Sequence, residues 1–221
     1  MLECIERETG PAPAWTILWL HGLGADGSDF LPVVPELVRP GWPALRFVFP
    51  HAPVRPVTIN NRVPMRAWYD IVDMDLAHRA DEAGVARSVE QVEALVEREA
   101  GRGVPRSRVV LAGFSQGGAV TLAAGLRSTA PLAGLVALST YVPSAHRARD
   151  VLAAGAERVP VFMGHGSQDP VVPFQAGQQS AALLRELGFE VEWRGYPMPH
   201  SVCAEEIRDL GDWLERRVRA A

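Results

Sequence analysis

The chain has 221 residues, a length typical of one α/β domain, so we expect residues 1–221 to form a single domain. Its net charge of −4 and the absence of a basic run argue against nucleic-acid and anionic-membrane partners. All 22 basic residues are arginine. The lack of lysine excludes Schiff-base and pyridoxal-phosphate lysines, Walker A motifs and Ser-Lys dyads. Abundant alanine and arginine without lysine suggest a GC-rich bacterial genome.

The composition also bears on location and cofactors. No apolar run approaches the ~20 residues that span a bilayer, and the charged N-terminus has no signal-peptide core. Cys4 and Cys203 are far apart and form no ligand pattern, so we expect free thiols in a reducing, cytoplasmic compartment. No His, Asp or Glu cluster has metal-ligand spacing, and we expect neither metal nor cofactor.

The first elements predicted are a short edge strand at residues 2–8 and a buried strand at 16–20. The second strand ends in a glycine loop, 22–27, that matches G-x-G-x-x-G and so raises a dinucleotide-binding oxidoreductase as an alternative. The next strand, 45–49, is followed by no acidic residue, and Pro32 disfavours a long intervening helix. The preferred interpretation is a loop whose Leu23 N–H faces a substrate carbonyl oxygen.

Residues 50–80 show no clear period, and we predict a long irregular loop there. Its aromatic and methionine content favours a packed loop beside a pocket, with Met65 and Trp68 as predicted substrate-binding residues. A role in plugging the core is an equal alternative for each. Residues 81–100 then form a predicted amphipathic helix, with apolar side chains at three- and four-residue spacing.

The central pattern is a buried strand beginning at Val109 that runs through Gly113-Phe-Ser115-Gln-Gly117 into a helix at about 116–128. This is G-x-S-x-G in a strand–turn–helix context, which predicts an exposed Ser115 nucleophile on a sharp turn. The two glycines avoid the clashes that Cβ atoms would make there. The helix N-terminus predicts Gln116 N–H as an oxyanion donor.

Strands and helices then alternate, which implies a mostly parallel sheet covered on both faces. The predicted strands are 135–139, 161–163 and 191–194, and the predicted helices are 174–187, with Gly188 as its C-cap, and 204–218.

Catalytic groups in such sheets follow the C-terminal ends of strands. Asp169 is the only carboxylate in the loop after strand 161–163, and His200 is the one histidine downstream of it. The order Ser, Asp, His matches a hydrolase triad, in which His200 is the general base and Asp169 orients it. His21 and His165 are interpreted as structural and loop-shaping residues, respectively.

The motifs together resemble the small carboxylesterase/acyl-protein thioesterase family of α/β-hydrolases. They are His21-Gly-Leu-Gly, Pro50-His-Ala-Pro, Trp68-Tyr-Asp, Gly113-Phe-Ser-Gln-Gly-Gly, Gly166-Ser-Gln-Asp-Pro-Val-Val-Pro and His200-Ser-Val. The resemblance implies an α/β-hydrolase fold without a large cap domain, and it supports Ser115, Asp169 and His200 as the triad. Val172, within the fifth motif, is a further predicted substrate contact.

The same resemblance implies hydrolysis of short to medium acyl esters or thioesters, with small molecules or acylated proteins as substrates. Some members form dimers, so a homodimer is one implication. The chain departs from the family at Pro199, where glycine usually precedes the catalytic histidine. Proline fixes φ and removes an N–H, which predicts a stiffer loop. A catalytically silent hydrolase fold that acts as a binding protein is the remaining alternative.

Overall fold

The computed structural model describes residues 1–72 and 81–219. Its strands are β1 (Cys4–Glu8), β2 (Trp15–Leu20), β3 (Leu45–Pro50), β4 (Val54–Val57), β5 (Val63–Arg66), β6 (Val109–Phe114), β7 (Gly134–Leu138), β8 (Val161–Gly166) and β9 (Val191–Tyr196). Seven of them form one sheet in the order β1-β3-β2-β6-β7-β8-β9, while β4 and β5 pair separately. Only β1 runs antiparallel to its neighbour in the large sheet.

The helices are α1 (Val34–Leu37), α2 (Glu82–Gly101), α3 (Gln116–Arg127), α4 (Ala148–Val151), α5 (Phe174–Glu186) and α6 (Ala204–Val218). Short 3-10 turns occupy Leu31–Val33, Thr58–Asn60, Arg106–Arg108, Ala145–Arg147 and Ala156–Arg158. No helix in the two described ranges is long and apolar enough to cross a membrane.

Alternate side chains of the central strands enter two separate cores, because successive residues of a strand point to opposite faces. Leu18 and Leu20 of β2 pack in a core shared with α2, α3 and α5. Ile17 and Trp19 pack in the other core, shared with α1 and α6. The predicted α/β-hydrolase architecture, a mostly parallel sheet with helices on both faces, is thus confirmed.

A buried carboxylate joins α2 to the sheet. Glu99 is completely buried and accepts hydrogen bonds from Thr16 Oγ1 at 3.0 Å and from Arg46 at 2.8 Å. Arg98 and Arg102 also pair with it. Burial alone would raise the pKa of the Glu99 carboxyl, but the hydrogen bonds from Arg46 and Thr16 outweigh it and lower that pKa. These partners keep the buried carboxylate charged, so removal of one of them would leave an uncompensated charge between α2 and the sheet.

The prediction of an irregular loop at 50–80 is wrong in part, since β4 and β5 form an antiparallel hairpin within this segment. Pro56 and Pro64 face each other in this ladder, which is tolerated because a two-stranded ribbon consists only of edge strands. These prolines removed the period-two signal from the sequence. Residues 73–80 of the predicted loop lie outside the described part of the chain.

The segment between β2 and β3 bears on the dinucleotide alternative. It holds a three-residue 3-10 turn and the four-residue α1. A pyrophosphate-binding turn needs a long helix starting directly after the glycines. The glycine loop therefore lacks the helix that this alternative requires, as predicted from Pro32.

Candidate active site

Ser115 occupies the sharp turn between β6 and α3, with backbone angles φ 54° and ψ −120°. Its N–H donates to Leu138 O at 2.9 Å, and its carbonyl accepts from Thr140 Oγ1 at 2.7 Å. A Cβ at Gly113 would collide with the Gly117 backbone, and one at Gly117 with the Leu20 carbonyl. The two glycines are thus required by close packing, as the sequence pattern predicts.

The side chains of Ser115, His200 and Asp169 form one chain of hydrogen bonds. His200 Nε2 lies 2.9 Å from Ser115 Oγ, and His200 Nδ1 lies 2.6 Å from Asp169 Oδ2. The other oxygen, Asp169 Oδ1, accepts the backbone N–H groups of Val171 at 2.8 Å and Val172 at 2.9 Å. The carboxylate is therefore fixed on both oxygens and can hold the imidazole in the tautomer that leaves Nε2 free to accept a proton.

The strand ends explain how residues so far apart in sequence meet. Ser115 follows β6, Asp169 follows β8, and His200 follows β9, all at the carboxyl edge of the parallel sheet. β8 extends to Gly166, three residues beyond the predicted end. The predicted strand is too short because Gly164 and Gly166 carry no apolar side chains that would continue the pattern. The structure thus brings together all three residues predicted for the triad.

The loop before His200 packs through its carbonyl groups. A Cβ at Gly166 would collide with Met198 O and Pro199 O, so both carbonyls lie directly on β8. Gln168 N–H donates to Met198 O at 3.2 Å, and Ser201 N–H donates to Pro199 O at 2.9 Å. These contacts use carbonyl oxygens at positions 198 and 199, and carbonyls are the groups that proline retains. Pro199 is therefore compatible with the His200 geometry.

An apolar cavity of about 290 Å³ opens above Ser115. Leu23 and Gln116, the two predicted oxyanion donors, and Val172, the predicted substrate contact, are among the residues that line it. Its other lining residues are Ile59, Asn60, Ile71, Tyr141 and Val171. Four of these, Ile59, Asn60, Ile71 and Tyr141, carried no periodic signal. Tyr141 alone could have been found, since it lies just beyond the end of β7.

The structure does not bring Met65 and Trp68, the other two predicted substrate-binding residues, to the cavity lining. Trp68 is completely buried, its indole N–H donates to His21 O at 2.9 Å, and its backbone N–H donates to Gln116 Oε1 at 2.8 Å. Met65 Sδ accepts from Asn60 Nδ2 at 3.4 Å. Trp68 therefore supports the wall from behind, which corresponds to the alternative of a core-plugging role.

Buried polar groups also support the cavity wall. Gln116 Nε2 donates to Tyr69 O at 2.8 Å, so its amide joins the start of α3 to the segment after β5. The hydroxyls of Tyr69 and Tyr141 are hydrogen bonded at 2.7 Å. Burial raises the pKa of Tyr141 to about 12, so this pair stays neutral at physiological pH.

His165 behaves as the loop-shaping residue that was expected. Its ring is completely buried, and Nε2 lies 2.9 Å from Val172 O and 3.4 Å from Asp169 Oδ2. Burial lowers the pKa of this imidazole. The neutral ring therefore holds the loop that presents Asp169. Among residues 1–72 and 81–219, no cluster of three or more His, Cys, Asp or Glu could hold a metal ion.

The chain is similar to known proteins over most of its length. The family model described as phospholipase/carboxylesterase matches residues 3–217. Acyl-protein thioesterase 1 of Mycosarcoma maydis is 39% identical, over 98% of this chain and 96% of its own length. The crystal structure of SOBER1 from Arabidopsis thaliana has a TM-score of 0.85 and 34% identity, covering 92% of this chain and 99% of its own.

Zea mays acyl-protein thioesterase 2 has a TM-score of 0.82 at 26% identity, over 97% of this chain and 99% of its own. These named relatives are eukaryotic, so they lend no support to the bacterial origin predicted from arginine usage. Fold and sequence similarity both extend along nearly the whole chain. The chain belongs to the phospholipase/carboxylesterase family of α/β-hydrolases.

Proposed function

We propose that this protein is a serine hydrolase that cleaves carboxylic esters or thioesters through Ser115, His200 and Asp169. The observation that carries the proposal is the continuous hydrogen-bonded chain from Asp169 Oδ2 through the imidazole to Ser115 Oγ, at the base of an apolar cavity. An intact chain of this kind activates a serine hydroxyl, so it argues against a silent binding protein.

In the proposed reaction, His200 Nε2 takes the Ser115 Oγ proton as Oγ attacks the acyl carbonyl carbon. The carbonyl oxygen becomes an oxyanion, which the backbone N–H groups of Leu23 and Gln116 stabilise. The bond to the leaving alcohol or thiol then breaks, and the imidazolium returns its proton to that group. Water enters, is deprotonated by His200 and hydrolyses the acyl-enzyme, which restores Ser115.

The cavity supports an acyl chain of short to medium length as the substrate portion held by the protein. Its lining is dominated by aliphatic side chains, including Ile59, Ile71 and Val172. These side chains favour burial of methylene groups over polar ones. Relatives named acyl-protein thioesterase and carboxylesterase support both the thioester and ester classes, with acylated proteins or small molecules as substrates.

Three further features complete the proposal. The chain acts as a single domain, since the family model spans residues 3–217. It works in the cytoplasm, where the free cysteines Cys4 and Cys203 would stay reduced. The homodimer implied by the family resemblance stays a prediction that size-exclusion chromatography with light scattering will test.

The direct test is labelling with a fluorophosphonate probe together with hydrolysis of p-nitrophenyl butyrate. Wild-type protein is expected to react at Ser115, while Ser115→Ala loses both the label and all but about 10⁻⁴ to 10⁻⁶ of kcat. The exposed Ser107→Ala is the matched control and keeps both activities. Undiminished hydrolysis by Ser115→Ala would overturn the proposal.

A further inference from the structure

His21 follows β2 directly, and its ring is buried with only 1% of the residue exposed. The Ala52 N–H donates to His21 Nε2 at 3.0 Å. A backbone N–H can only donate, so Nε2 carries a lone pair and the ring proton is on Nδ1. Nδ1 lies 2.7 Å from Gly22 O, to which it therefore donates. The two contacts together assign one neutral tautomer.

In this tautomer His21 donates a hydrogen bond to the peptide unit between Gly22 and Leu23. Gly22 C=O and Leu23 N–H belong to the same planar trans peptide, so they point in opposite directions. When His21 Nδ1–H holds the carbonyl on one side, the Leu23 N–H is aimed to the other side. Leu23 and Ser115 line the same cavity, and a Cβ at Gly22 would lie 3.5 Å from Ser115 Cβ. The Gly22–Leu23 peptide is thus directly beside the turn that carries Ser115.

The rest of the loop is fixed on both sides of this peptide. Upstream, the Trp68 indole N–H donates to His21 O at 2.9 Å. Downstream, Gly24 N–H donates to Arg66 O at 2.9 Å. The remaining freedom is rotation of the Gly22–Leu23 peptide plane, and glycine at 22 imposes little steric resistance to it. Gly22 O also accepts the Ala25 N–H at 3.3 Å, and the shorter hydrogen bond from His21 Nδ1, at 2.7 Å, is the side-chain restraint on this rotation.

We propose that His21 is a positioning residue that locks the Gly22–Leu23 peptide so that its N–H faces the oxyanion formed on Ser115 attack. The inference rests on the proposed function, since it needs Ser115 as the nucleophile. Burial lowers the pKa of His21, which keeps the ring in the neutral form that this arrangement requires. A protonated ring would place an Nε2–H against the Ala52 N–H.

Two substitutions separate positioning from mere structural support. In His21→Asn the amide nitrogen can take the place of Nδ1, so the donor to Gly22 O is kept and the acceptor for Ala52 N–H is lost. In His21→Gln the amide reaches the place of Nε2, so the acceptor is kept and the donor is lost. Each variant removes one buried hydrogen bond, and we expect similar decreases in the melting temperature.

The two variants differ in catalysis under the proposal. We expect His21→Gln to lower kcat on p-nitrophenyl butyrate by about 10²-fold with little change in KM, since a lost oxyanion donor costs about 10²–10³ in kcat. We expect His21→Asn to stay within about fivefold of the wild type. Affinity for a trifluoromethyl ketone, which forms an oxyanion on Ser115, should fall with kcat/KM in His21→Gln and hold in His21→Asn.

Equal losses in both variants that track their melting temperatures would overturn the inference, as would full activity of His21→Gln. Nitrogen-15 NMR of wild-type protein gives a measurement that does not depend on a variant folding. The expected result is a protonated Nδ1 and a bare Nε2 at His21, and the opposite tautomer would refute the inference. Failure of the proposed function is seen separately, as activity that survives Ser115→Ala.

Discussion

Asp169 Oδ2 lies 2.6 Å from His200 Nδ1, while its second oxygen is held by two backbone N–H groups. Replacement by asparagine keeps the shape of the side chain, but an amide N–H can face Nδ1 and force the ring proton onto Nε2. The ring then cannot accept the Ser115 proton.

We therefore expect Asp169→Asn to lower kcat by about 10³–10⁴, as loss of the correct tautomer does in serine proteases. The melting temperature should change by only a few degrees. Steady-state hydrolysis of p-nitrophenyl butyrate measures the effect, with the exposed Asp150→Asn as control. A loss of less than tenfold would show that Asp169 does not set the tautomer.

The packing of the His200 loop on β8 predicts a steric variant. Gly166→Ala introduces a Cβ into the space of the Met198 and Pro199 carbonyls, so the loop must move and carry His200 with it. Because a displacement of about 1 Å can cost about 10² in rate, we expect kcat to fall by at least that factor.

Gly101→Ala is the matched glycine control, because nothing lies within 4 Å of its added Cβ. It should leave kcat unchanged and stabilise α2 by up to about 1 kcal/mol. Assays of both variants, with urea denaturation to confirm folding, check the pair. Equal activity of the two proteins would contradict the packing argument.

The buried Tyr69–Tyr141 hydroxyl pair predicts a coupled stability effect. Either single change to phenylalanine leaves the other hydroxyl buried without its partner, at a cost of about 1–3 kcal/mol. The double variant should cost little more than one single variant, because both hydroxyls are then removed. A double-mutant cycle from urea denaturation measures the coupling. Strictly additive losses would be inconsistent with the hydrogen bond.

Glu206, in the first turn of α6, predicts a pH-dependent stability. It is completely buried against Gly164, and burial, with a smaller effect from Asp209, raises its pKa to about 8 from the ordinary value of 4.5. Between these two values the folded state binds the extra proton. The contribution of Glu206 protonation to the free energy of unfolding is therefore complete below pH 4.5 and is lost as the pH rises through about 8.

Glu206→Gln does not titrate, so the free energy of unfolding should fall less steeply between pH 5 and 8 than in the wild type. The slopes should differ by up to about 1.4 kcal/mol per pH unit. Urea denaturation at four pH values measures the slopes. The exposed neighbour Glu205→Gln should retain the wild-type slope. Parallel curves for wild type and Glu206→Gln would rule out a raised pKa.

The apolar cavity predicts a limit on acyl-chain length. Each methylene that enters it should contribute up to about 0.8 kcal/mol, or about fourfold in kcat/KM, until the 290 Å³ is filled. A series of p-nitrophenyl esters and matched acyl thioesters from two to sixteen carbons measures this limit. A flat response across the short chains would show that the cavity does not hold the acyl group.

The juxtaposition of the candidate triad residues could be predicted from the sequence because strand ends have fixed positions in a parallel sheet. Ser115, Asp169 and His200 each follow a strand at the same sheet edge, and G-x-S-x-G has a steric meaning at Gly113 and Gly117. The boundaries were less accessible, as with the extension of β8 through two glycines. The local sequence pattern therefore predicted that the loops after β6, β8 and β9 meet, although it did not predict where each strand ends.

The residues of the cavity wall could not be predicted from the sequence in the same way. Ile59 and Ile71 approach Ser115 only through the tertiary fold of the β4–β5 hairpin, which proline obscured in the sequence. The contacts of His21 could not be predicted for a similar reason, since its ring accepts the Ala52 N–H from 31 residues away. Such contacts join distant segments and leave no periodic signal.

The long sequence separation of the triad also has a consequence for folding. Ser115 and His200 are 85 residues apart, and they meet at an edge of the sheet where β6, β7, β8 and β9 lie side by side. Loop closure over such distances is slow compared with helix formation. During refolding from urea, esterase activity should return later than far-ultraviolet circular dichroism, so that activity reports the completed sheet.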